Sequence, residues 1–276
     1  MNTNEPLFYF DKAKLLALAE EYKHTYQTNK PFPHVVIDNF LPTEVAERVL
    51  AEFPTPESDI WQQRFDDPNT QHLKLACEDD TRMPDFTRHV LSQFNSSSMA
   101  EFVEILSGIE HIIPDPHYRG GGLHQTMRGG NLGIHIDFNR YKRLDLNRRV
   151  NILIYLNKDW KPEYGGDLEL WDKDMKHCVD RVPPVFNRFA MFSTTGYSYH
   201  GQPDPLKCPE GMTRKSLALY YYTNKTADAE TEDPHTTVFM KRPGEKYTRT
   251  SKEVIKDFIP PVALRAAVDL KKRFKK

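Results

Sequence analysis

The chain has 276 residues, and its 38 Lys and Arg residues against 39 Asp and Glu residues give a formal net charge of −1 at pH 7. This balance excludes a strong general attraction to nucleic acid or to a membrane surface. The three cysteines are odd in number and form no C-x-x-C pair, which argues against a disulfide framework and favours a reducing compartment. No signal-peptide pattern and no apolar run of membrane-spanning length is present. We therefore expect a cytoplasmic globular protein without nucleic-acid or membrane partners, and these features do not specify its oligomeric state.

Helical patterns dominate the first part of the chain. Residues 11–23 are rich in Ala, Leu, Lys and Glu at helical spacing, and residues 41–54 have Pro at the second position and Pro after the last apolar residue. Between them, residues 33–40 have the pattern of a short strand. Ser98 and Glu101 form a capping-box pattern, which predicts that a third helix begins at Ser98.

The pattern changes to short β-rich runs after about residue 112. Gly, Pro and Asn separate these runs, and no long helical pattern lies between them. Many short strands of this kind favour a sandwich, jelly roll or barrel over a βαβ sheet. The predicted strands lie at residues 122–127, 131–137, 148–157, 166–172, 188–194 and 214–223.

These changes of pattern predict three regions. Residues 1–112 form a mainly helical supporting region, and residues 113–225 form the β domain. Residues 226–276 begin as a polar, acidic linker and end in a basic helix. We interpret the basic end of that helix as solvated rather than as a binding surface.

The stretch NLGIHIDFNR combines apolar alternation with two side chains that can bind a metal. In a strand, His135 and Asp137 lie on one face, and Leu132, Ile134 and Ile136 lie on the other. A His-x-Asp pair arises by chance about once in a chain of this composition, so the pair alone indicates little.

A later predicted strand ends near His200, which can act as the third ligand. A double-stranded β-helix that brings together two imidazoles and one carboxylate forms a facial triad for non-haem Fe(II). Such a triad leaves coordination positions open on one side of the metal. O2 and a chelating cosubstrate suit those open positions.

A cation and a hydroxyl follow His200 on the next predicted strand. Arg214 lies fourteen residues after His200 and shares a strand face with Ser216. The planar guanidinium can bind the distal carboxylate of a dicarboxylic acid through two hydrogen bonds. On another strand, Asn151 and Leu153 share a face with Tyr155, whose hydroxyl can donate to the same carboxylate. The Asn151 side chain either orients the cosubstrate or substrate, or satisfies backbone groups.

The order of these motifs resembles the 2-oxoglutarate- and Fe(II)-dependent oxygenases. HxD is followed by YLNKDW, then GGDLELW, a distal His and RKS, and the set is most similar to the prolyl-hydroxylase branch over residues 113–223. The resemblance implies a double-stranded β-helix (jelly roll, cupin-like) core of α+β, mainly β class, flanked by N-terminal helices and a C-terminal helical tail. It also implies that iron is held by His135, Asp137 and His200, and that 2-oxoglutarate is bound by Tyr155, Arg214 and Ser216, with Leu153 and Leu168 lining its pocket.

In that family, hydroxylation of an unactivated C–H bond is coupled to conversion of 2-oxoglutarate and O2 to succinate and CO2, and ascorbate is a supporting reductant. The branch favours a prolyl or other amino-acid residue, or a small amino-acid-like metabolite, as the substrate. Asp137 favours hydroxylation, or oxidative demethylation, over halogenation because halogenases of the superfamily have a small residue there. Two loops, at residues 138–149 and 201–213, are the candidate substrate-recognition segments.

Two other functions compete with this one. A cupin-like protein can hold Zn or Mn with the same three ligands and act as an isomerase, or as a non-catalytic metal-binding module. An inactive scaffold could use its helices and tail to bind protein. Arg214 and Ser216 separate the oxygenase from the cupin alternative, because a 2-oxoglutarate pocket needs them and a zinc site does not. The three intact candidate ligands argue against the inactive scaffold.

Overall fold

Four α-helices and thirteen strands occur in the part of the chain that a computed structural model describes, residues 8–224 and 233–245. The helices are α1 Lys12–Thr28, α2 Thr43–Ala51, α3 Asp85–Phe94 and α4 Ser97–Ser107. The strands are β1 His34–Asp38, β2 Gln63–Asp67, β3 Gln71–Cys77, β4 Ile113–Pro114, β5 Gly122–Ile136, β6 Arg140–Tyr141, β7 Leu146–Tyr155, β8 Leu168–Trp171, β9 Cys178–Val182, β10 Arg188–Ser193, β11 His200–Gln202, β12 Thr213–Thr223 and β13 Val238–Phe239. Short 3-10 helices lie at Asp80–Arg82 and Pro162–Tyr164.

The helix ends follow capping chemistry, although not always at the predicted residue. Asp11 precedes α1 and its carboxylate accepts a hydrogen bond from the backbone N–H of Lys14. Ser96, and not the predicted Ser98, caps α4 and accepts from the backbone N–H of Met99 over 3.3 Å. The prediction of a start at Ser98 was therefore wrong by two residues. Three serines in succession at 96–98 offer equivalent caps, and only the path of the preceding chain selects one.

All strand pairs in the sheet are antiparallel, and the main path runs β1-β10-β7-β12-β5-β11-β8-β9. The β2–β3 hairpin adds to β5, as does β13. This nearly closed arrangement is a jelly roll, so the predicted fold class is confirmed for its core and its N-terminal helices. The β2–β3 hairpin and β1 show that the N-terminal region contributes strands as well as helices.

Strand β5 makes the corner between the two parts of the sheet. Its first half, residues 122–127, pairs with β12, whereas its second half pairs with β11. Between the halves, Gly129 has φ +80°, and a Cβ on Gly130 would lie 2.6 Å from the backbone oxygen of His72. Glycine is required at both positions, for conformation and for close approach. Two predicted strands are thus one bent strand.

Alternate residues of the central strands face opposite sides of the sheet. On β7, Val150, Ile152 and Ile154 are buried in the main hydrophobic core together with apolar residues of all four helices. Asn151 and Leu153, the residues between them, face a cavity inside the roll. The helices therefore pack against the outside of the sheet and leave its inner face for polar groups.

The described residues test some of the remaining predictions and not others. The predicted C-terminal basic helix lies outside those residues, and the three-region division stays a prediction. Residues up to Pro243 form one compact unit. The three cysteines are free thiols. Within residues 8–224 and 233–245, the helices are too short or too polar to span a bilayer.

Candidate metal centre and cosubstrate cavity

Three potential metal ligands converge at the junction of β5 and β11. His200 begins β11 directly opposite His135 of β5, and Asp137 follows the last residue of β5. One ligand atom from each of these residues lies within 4.8 Å of the others. A Cβ on Gly201 would meet the backbone oxygen of Gly133 at 2.7 Å, so the close approach of β11 to β5 needs glycine here. The backbone pairing thus brings residues 65 positions apart in the chain to one point.

Both imidazoles point their Nε2 atoms at the carboxylate. Nδ1 of His135 donates to the backbone oxygen of Gly133 over 2.9 Å, and Nδ1 of His200 donates to that of Ser198 over 2.8 Å. A carbonyl can only accept, so both Nδ1 atoms carry a proton and both Nε2 atoms have a free lone pair. Burial and the neighbouring His200 lower the pKa of His135, which favours the neutral, ligating form. The donor set therefore fits a divalent metal of the Fe(II) class.

Asp137 is held by two neighbours on β7. The Asn151 amide donates to Oδ2 of Asp137 over 2.7 Å, and the Arg148 guanidinium lies 3.1 Å from the same oxygen. Arg148 also donates to the side-chain oxygen of Asn151 over 2.9 Å. Burial alone would raise the pKa of Asp137, but the Arg148 charge and the two histidines hold it well below its usual value. Asp137 is therefore an anion before any metal binds.

Arg148 was not among the site residues predicted from the sequence. Its side chain is only 1% exposed, and its guanidinium carbon lies 3.4 Å from the ring centroid of Tyr220 and 4.6 Å from that of Phe138. These cation–π contacts replace part of the lost hydration of the cation. The sequence signal for this role was the β-rich run at residues 148–157, which begins with two arginines, one of them on the inward face.

All of the predicted 2-oxoglutarate residues except Tyr155 line the same cavity. Arg214, Ser216, Leu153 and Leu168 line it. Arg214 donates through Nε to the backbone oxygen of Gly166 over 2.7 Å, and its Nη2 lies 3.3 Å from the hydroxyl of Tyr155. Burial raises the pKa of Tyr155, so its hydroxyl stays protonated and can donate. Asn151 differs from the others, because its amide is engaged with Asp137 and with Arg148.

One inward-facing residue departs from strict alternation. Leu132 lines the cavity together with His135 and Asp137, although the sequence places it on the opposite strand face. The register between β11 and β5 shifts between His200 and Gln202, and this irregularity turns Leu132 inward. Ile134 follows the predicted pattern and packs against Trp171 on the outer side.

The cavity has a volume of about 240 Å³, and the β2–β3 hairpin forms one of its walls. Neither strand of this hairpin was predicted from the sequence. The pattern of QHLKLAC, with its alternating apolar residues, was the available signal, but the two strands are short and polar at their outer ends. The predicted recognition loops contribute Phe138, Arg148, Gly201 and Gln202 to the lining, whereas the hairpin contributes Gln63, Phe65, Gln71, Lys74 and Ala76.

The fold and the donor set together define a class of protein, the double-stranded β-helix metalloproteins with a two-histidine, one-carboxylate site. Residues 121–222, which carry the three ligands and Arg214, match the family model described as the 2OG-Fe(II) oxygenase superfamily. A curated relative, prolyl 3-hydroxylase OGFOD1 of Mus musculus, is 29% identical over 79 residues, which are 27% of this chain and 14% of that protein. The match thus spans a small part of that relative.

Solved structures show the same fold. A Trichoplax adhaerens prolyl hydroxylase, in complex with a hypoxia inducible factor oxygen degradation domain peptide, aligns with a TM-score of 0.56 and 18% identity over 76% of this chain and 91% of that one. HygX of Streptomyces hygroscopicus, with nickel, 2-oxoglutarate and hygromycin B bound, aligns with a TM-score of 0.51 and 11% identity over 79% and 97% of the two chains. The resemblance is confirmed: residues 121–222 match the 2OG-Fe(II) oxygenase family model, and the chain shares its fold with a prolyl hydroxylase.

Proposed function

We propose that the chain is an Fe(II)- and 2-oxoglutarate-dependent dioxygenase that hydroxylates an unactivated C–H bond. The observation that carries this proposal is the presence of three convergent metal ligands and an inward-facing arginine in one cavity of about 240 Å³. A zinc or manganese cupin needs only the ligands. Arg214, held by Gly166 and Tyr155, gives the cavity a second and distinct binding point for an anion.

Each residue has a defined task in this function. His135 and His200 present their Nε2 atoms to the metal, and Asp137 presents its carboxylate. When bound, Fe(II) with 2-oxoglutarate supplies the oxidative chemistry that consumes O2 and yields succinate, CO2 and a hydroxylated product. Arg214 and Tyr155 hold the distal carboxylate of 2-oxoglutarate and so fix its orientation.

The substrate class rests on the similar proteins. We propose a prolyl or other amino-acid residue, or a small amino-acid-like metabolite. The curated relative is named as a prolyl 3-hydroxylase, which supports the prolyl choice. HygX, which shares the fold, is described with hygromycin B bound, so a jelly roll of this kind also accommodates a small molecule. Fold similarity alone does not choose between them.

The test is a spectroscopic titration without O2. Fe(II) and then 2-oxoglutarate are added to the metal-free protein, and the visible absorption spectrum is recorded after each addition. We expect a weak charge-transfer band that requires both additions. The band should need at least about tenfold more 2-oxoglutarate in Arg214→Ala, because a charge-assisted contact contributes roughly 1.5–3 kcal/mol.

Arg128→Ala is the matched control, because Arg128 donates to the backbone oxygen of Cys208 outside the cavity lining. Its band should form at the wild-type 2-oxoglutarate concentration. Tight metal binding without any band would reject the dioxygenase function and favour the zinc or manganese alternative. An unchanged titration in Arg214→Ala would remove Arg214 from the cosubstrate site.

A further inference from the structure

The β2–β3 hairpin carries a lysine into the cavity. Lys74 lines the cavity and is 8% exposed. Its ammonium donates to the side-chain oxygen of Gln71 over 2.9 Å and lies 5.2 Å from the ring centroid of Phe65. Burying a cation without a partner raises the free energy of the folded protein. A buried lysine in a cavity therefore suggests that a ligand supplies the missing partner.

The register of three strands places Lys74 beside the proposed cosubstrate anchor. Lys74 of β3 pairs with Thr126 of β5, and Thr126 pairs with Arg214 of β12. All three residues line the cavity, so the lysine and the arginine flank Thr126 on one inner wall. Burial lowers the pKa of Lys74, the Asp137 carboxylate partly opposes this effect, and the nearby Arg214 charge adds to the lowering.

The other cavity cations have carboxylate partners. Arg148 is paired with Asp137, and Arg119 lies 2.8 Å from Glu78. Among the described residues, neither Lys74 nor Arg214 has a carboxylate within 4.0 Å. The cavity thus holds two cations that an anionic ligand can neutralise.

The two carboxylates of 2-oxoglutarate are too few to occupy the metal, Arg214 and Lys74 together, so the two cations have different roles. In the proposed function, 2-oxoglutarate places one carboxylate at the metal and the other at Arg214. Neither carboxylate of the bound cosubstrate is then left to pair with Lys74. Lys74 also comes from a part of the chain outside residues 121–222, which match the oxygenase family model.

We propose that Lys74 binds a carboxylate of the primary substrate, so that the cavity selects an anionic substrate. This inference rests on the proposed function and adds a substrate class to it: molecules or chain ends that present a free carboxylate near the C–H bond to be hydroxylated. Gln71 positions the ammonium, and Thr126 offers a hydroxyl on the same wall. An ammonium pairs with a carboxylate through charge-assisted hydrogen bonds and gains little from the neutral amide.

The experiment uses acetate and acetamide as the smallest charged and neutral probes. The full chain is loaded with Mn(II) and excess 2-oxoglutarate, which fills the Arg214 point without turnover. The paramagnetic relaxation of the probe methyl protons then measures which probe enters the cavity near the metal. In the wild-type protein, we expect acetate to be relaxed about tenfold more strongly than acetamide, as one charge-assisted contact predicts.

Three variants complete the test. Lys74→Met should reduce the acetate preference to within about twofold, whereas Lys74→Arg should retain most of it because the charge remains. Lys215→Met is the matched control, since Lys215 lies next to Arg214 on β12 but bonds Thr213 away from the cavity lining. It should keep the full preference.

Results that overturn the Lys74 proposal differ from results that overturn the proposed dioxygenase function. Equal relaxation of acetate and acetamide in the wild-type protein would overturn the proposal. An acetate preference that survives in Lys74→Met would also overturn it. A loss of 2-oxoglutarate affinity in Lys74→Met as large as that in Arg214→Ala would assign the lysine to the cosubstrate instead. If the wild-type protein binds no Mn(II) or no 2-oxoglutarate, the proposed function fails first and the inference fails with it.

Discussion

Asn151 donates a hydrogen bond to Oδ2 of Asp137 over 2.7 Å and accepts one from Arg148 over 2.9 Å. The Asn151 amide therefore links the Asp137 carboxylate to the Arg148 guanidinium, and all three side chains line the cavity. Because Asn151 and Arg148 both contact Oδ2, the other oxygen of Asp137 is the freer one for a metal. Asn151 thus positions the carboxylate, a role that differs from both of those predicted for it, orientation of the cosubstrate or substrate and satisfaction of backbone groups.

Replacing Asn151 should weaken metal binding without unfolding the protein. In Asn151→Ala we expect the affinity for Mn(II) or Fe(II) to fall by roughly 10–100-fold, as is usual when a group that orients a metal ligand is removed. Titration of the metal-free protein measures the effect. Asn147→Ala, on the same strand but outside the cavity lining, should bind metal like the wild type. Equal metal affinities in both variants would show that Asn151 does not position Asp137.

Removing the carboxylate should destabilise the fold through Arg148. In Asp137→Ala the buried guanidinium loses its counter-charge, and we expect a loss of roughly 3 kcal/mol in the free energy of unfolding, together with loss of succinate production. Asp137→Ala combined with Arg148→Met should recover part of this stability, as measured by urea unfolding. Asp38→Ala removes a more exposed ion pair with Arg188 and should cost no more than about 1 kcal/mol. Similar losses in the two single variants would contradict this account.

Two adjacent glycines provide a matched pair of variants that tests the proposed 2-oxoglutarate pocket. Gly165 and Gly166 both have positive φ, so alanine strains the backbone at either position. A Cβ on Gly166 would lie 2.7 Å from a Leu206 methyl and 3.2 Å from Cδ of Arg214, whereas a Cβ on Gly165 meets nothing within 4 Å. Gly166→Ala should therefore shift Arg214 and weaken 2-oxoglutarate binding at least about tenfold.

In Gly165→Ala we expect near-normal 2-oxoglutarate affinity and a stability loss of about 1 kcal/mol from the backbone alone. The anaerobic titration reports the affinity, and thermal unfolding reports the stability. If both variants bound 2-oxoglutarate equally well, the contact between Gly166 and Arg214 would not shape the pocket.

Lys74 should reduce the stability of the free protein in a pH-dependent way. Burial lowers its pKa from 10.5 to about 8, so the folded state binds the proton less readily than the unfolded state. Below pH 8 the ammonium is charged in both states, and the full free-energy cost of burying this charge destabilises the folded state. Between about pH 8 and 10.5 the folded state loses its proton first, and the cost disappears. Lys74→Met should therefore be more stable than the wild type at pH 7, by on the order of 2 kcal/mol.

This advantage of Lys74→Met should shrink as the pH rises from 8 toward 10.5, because only the wild type still has a charge to lose there. Urea unfolding of both proteins across that range measures the difference, in which the other titrating groups cancel. A constant difference from pH 7 to 10.5 would mean that the pKa of Lys74 is not lowered in the folded state.

Local patterns in the sequence determined the elements whose signals lie within a few residues. Helical spacing in residues 11–23 predicted α1, and β-rich runs predicted the inner strands β7, β10 and β12. The order of HxD, a distal His and RKS predicted three candidate metal ligands and Arg214, and the structure brings these side chains to one cavity. These signals are readable because strand alternation and helical period are properties of the chain itself.

The tertiary structure alone decided which distant side chains face the metal site. Arg148 and Asn151 contact Asp137 through the bend of β5 and the pairing of β7, and a register shift turns Leu132 inward. Lys74 reaches the cavity only because a hairpin some fifty residues earlier in the chain pairs with β5. Long-range pairing and register depend on how whole faces are buried against each other, so no short window of sequence contains them.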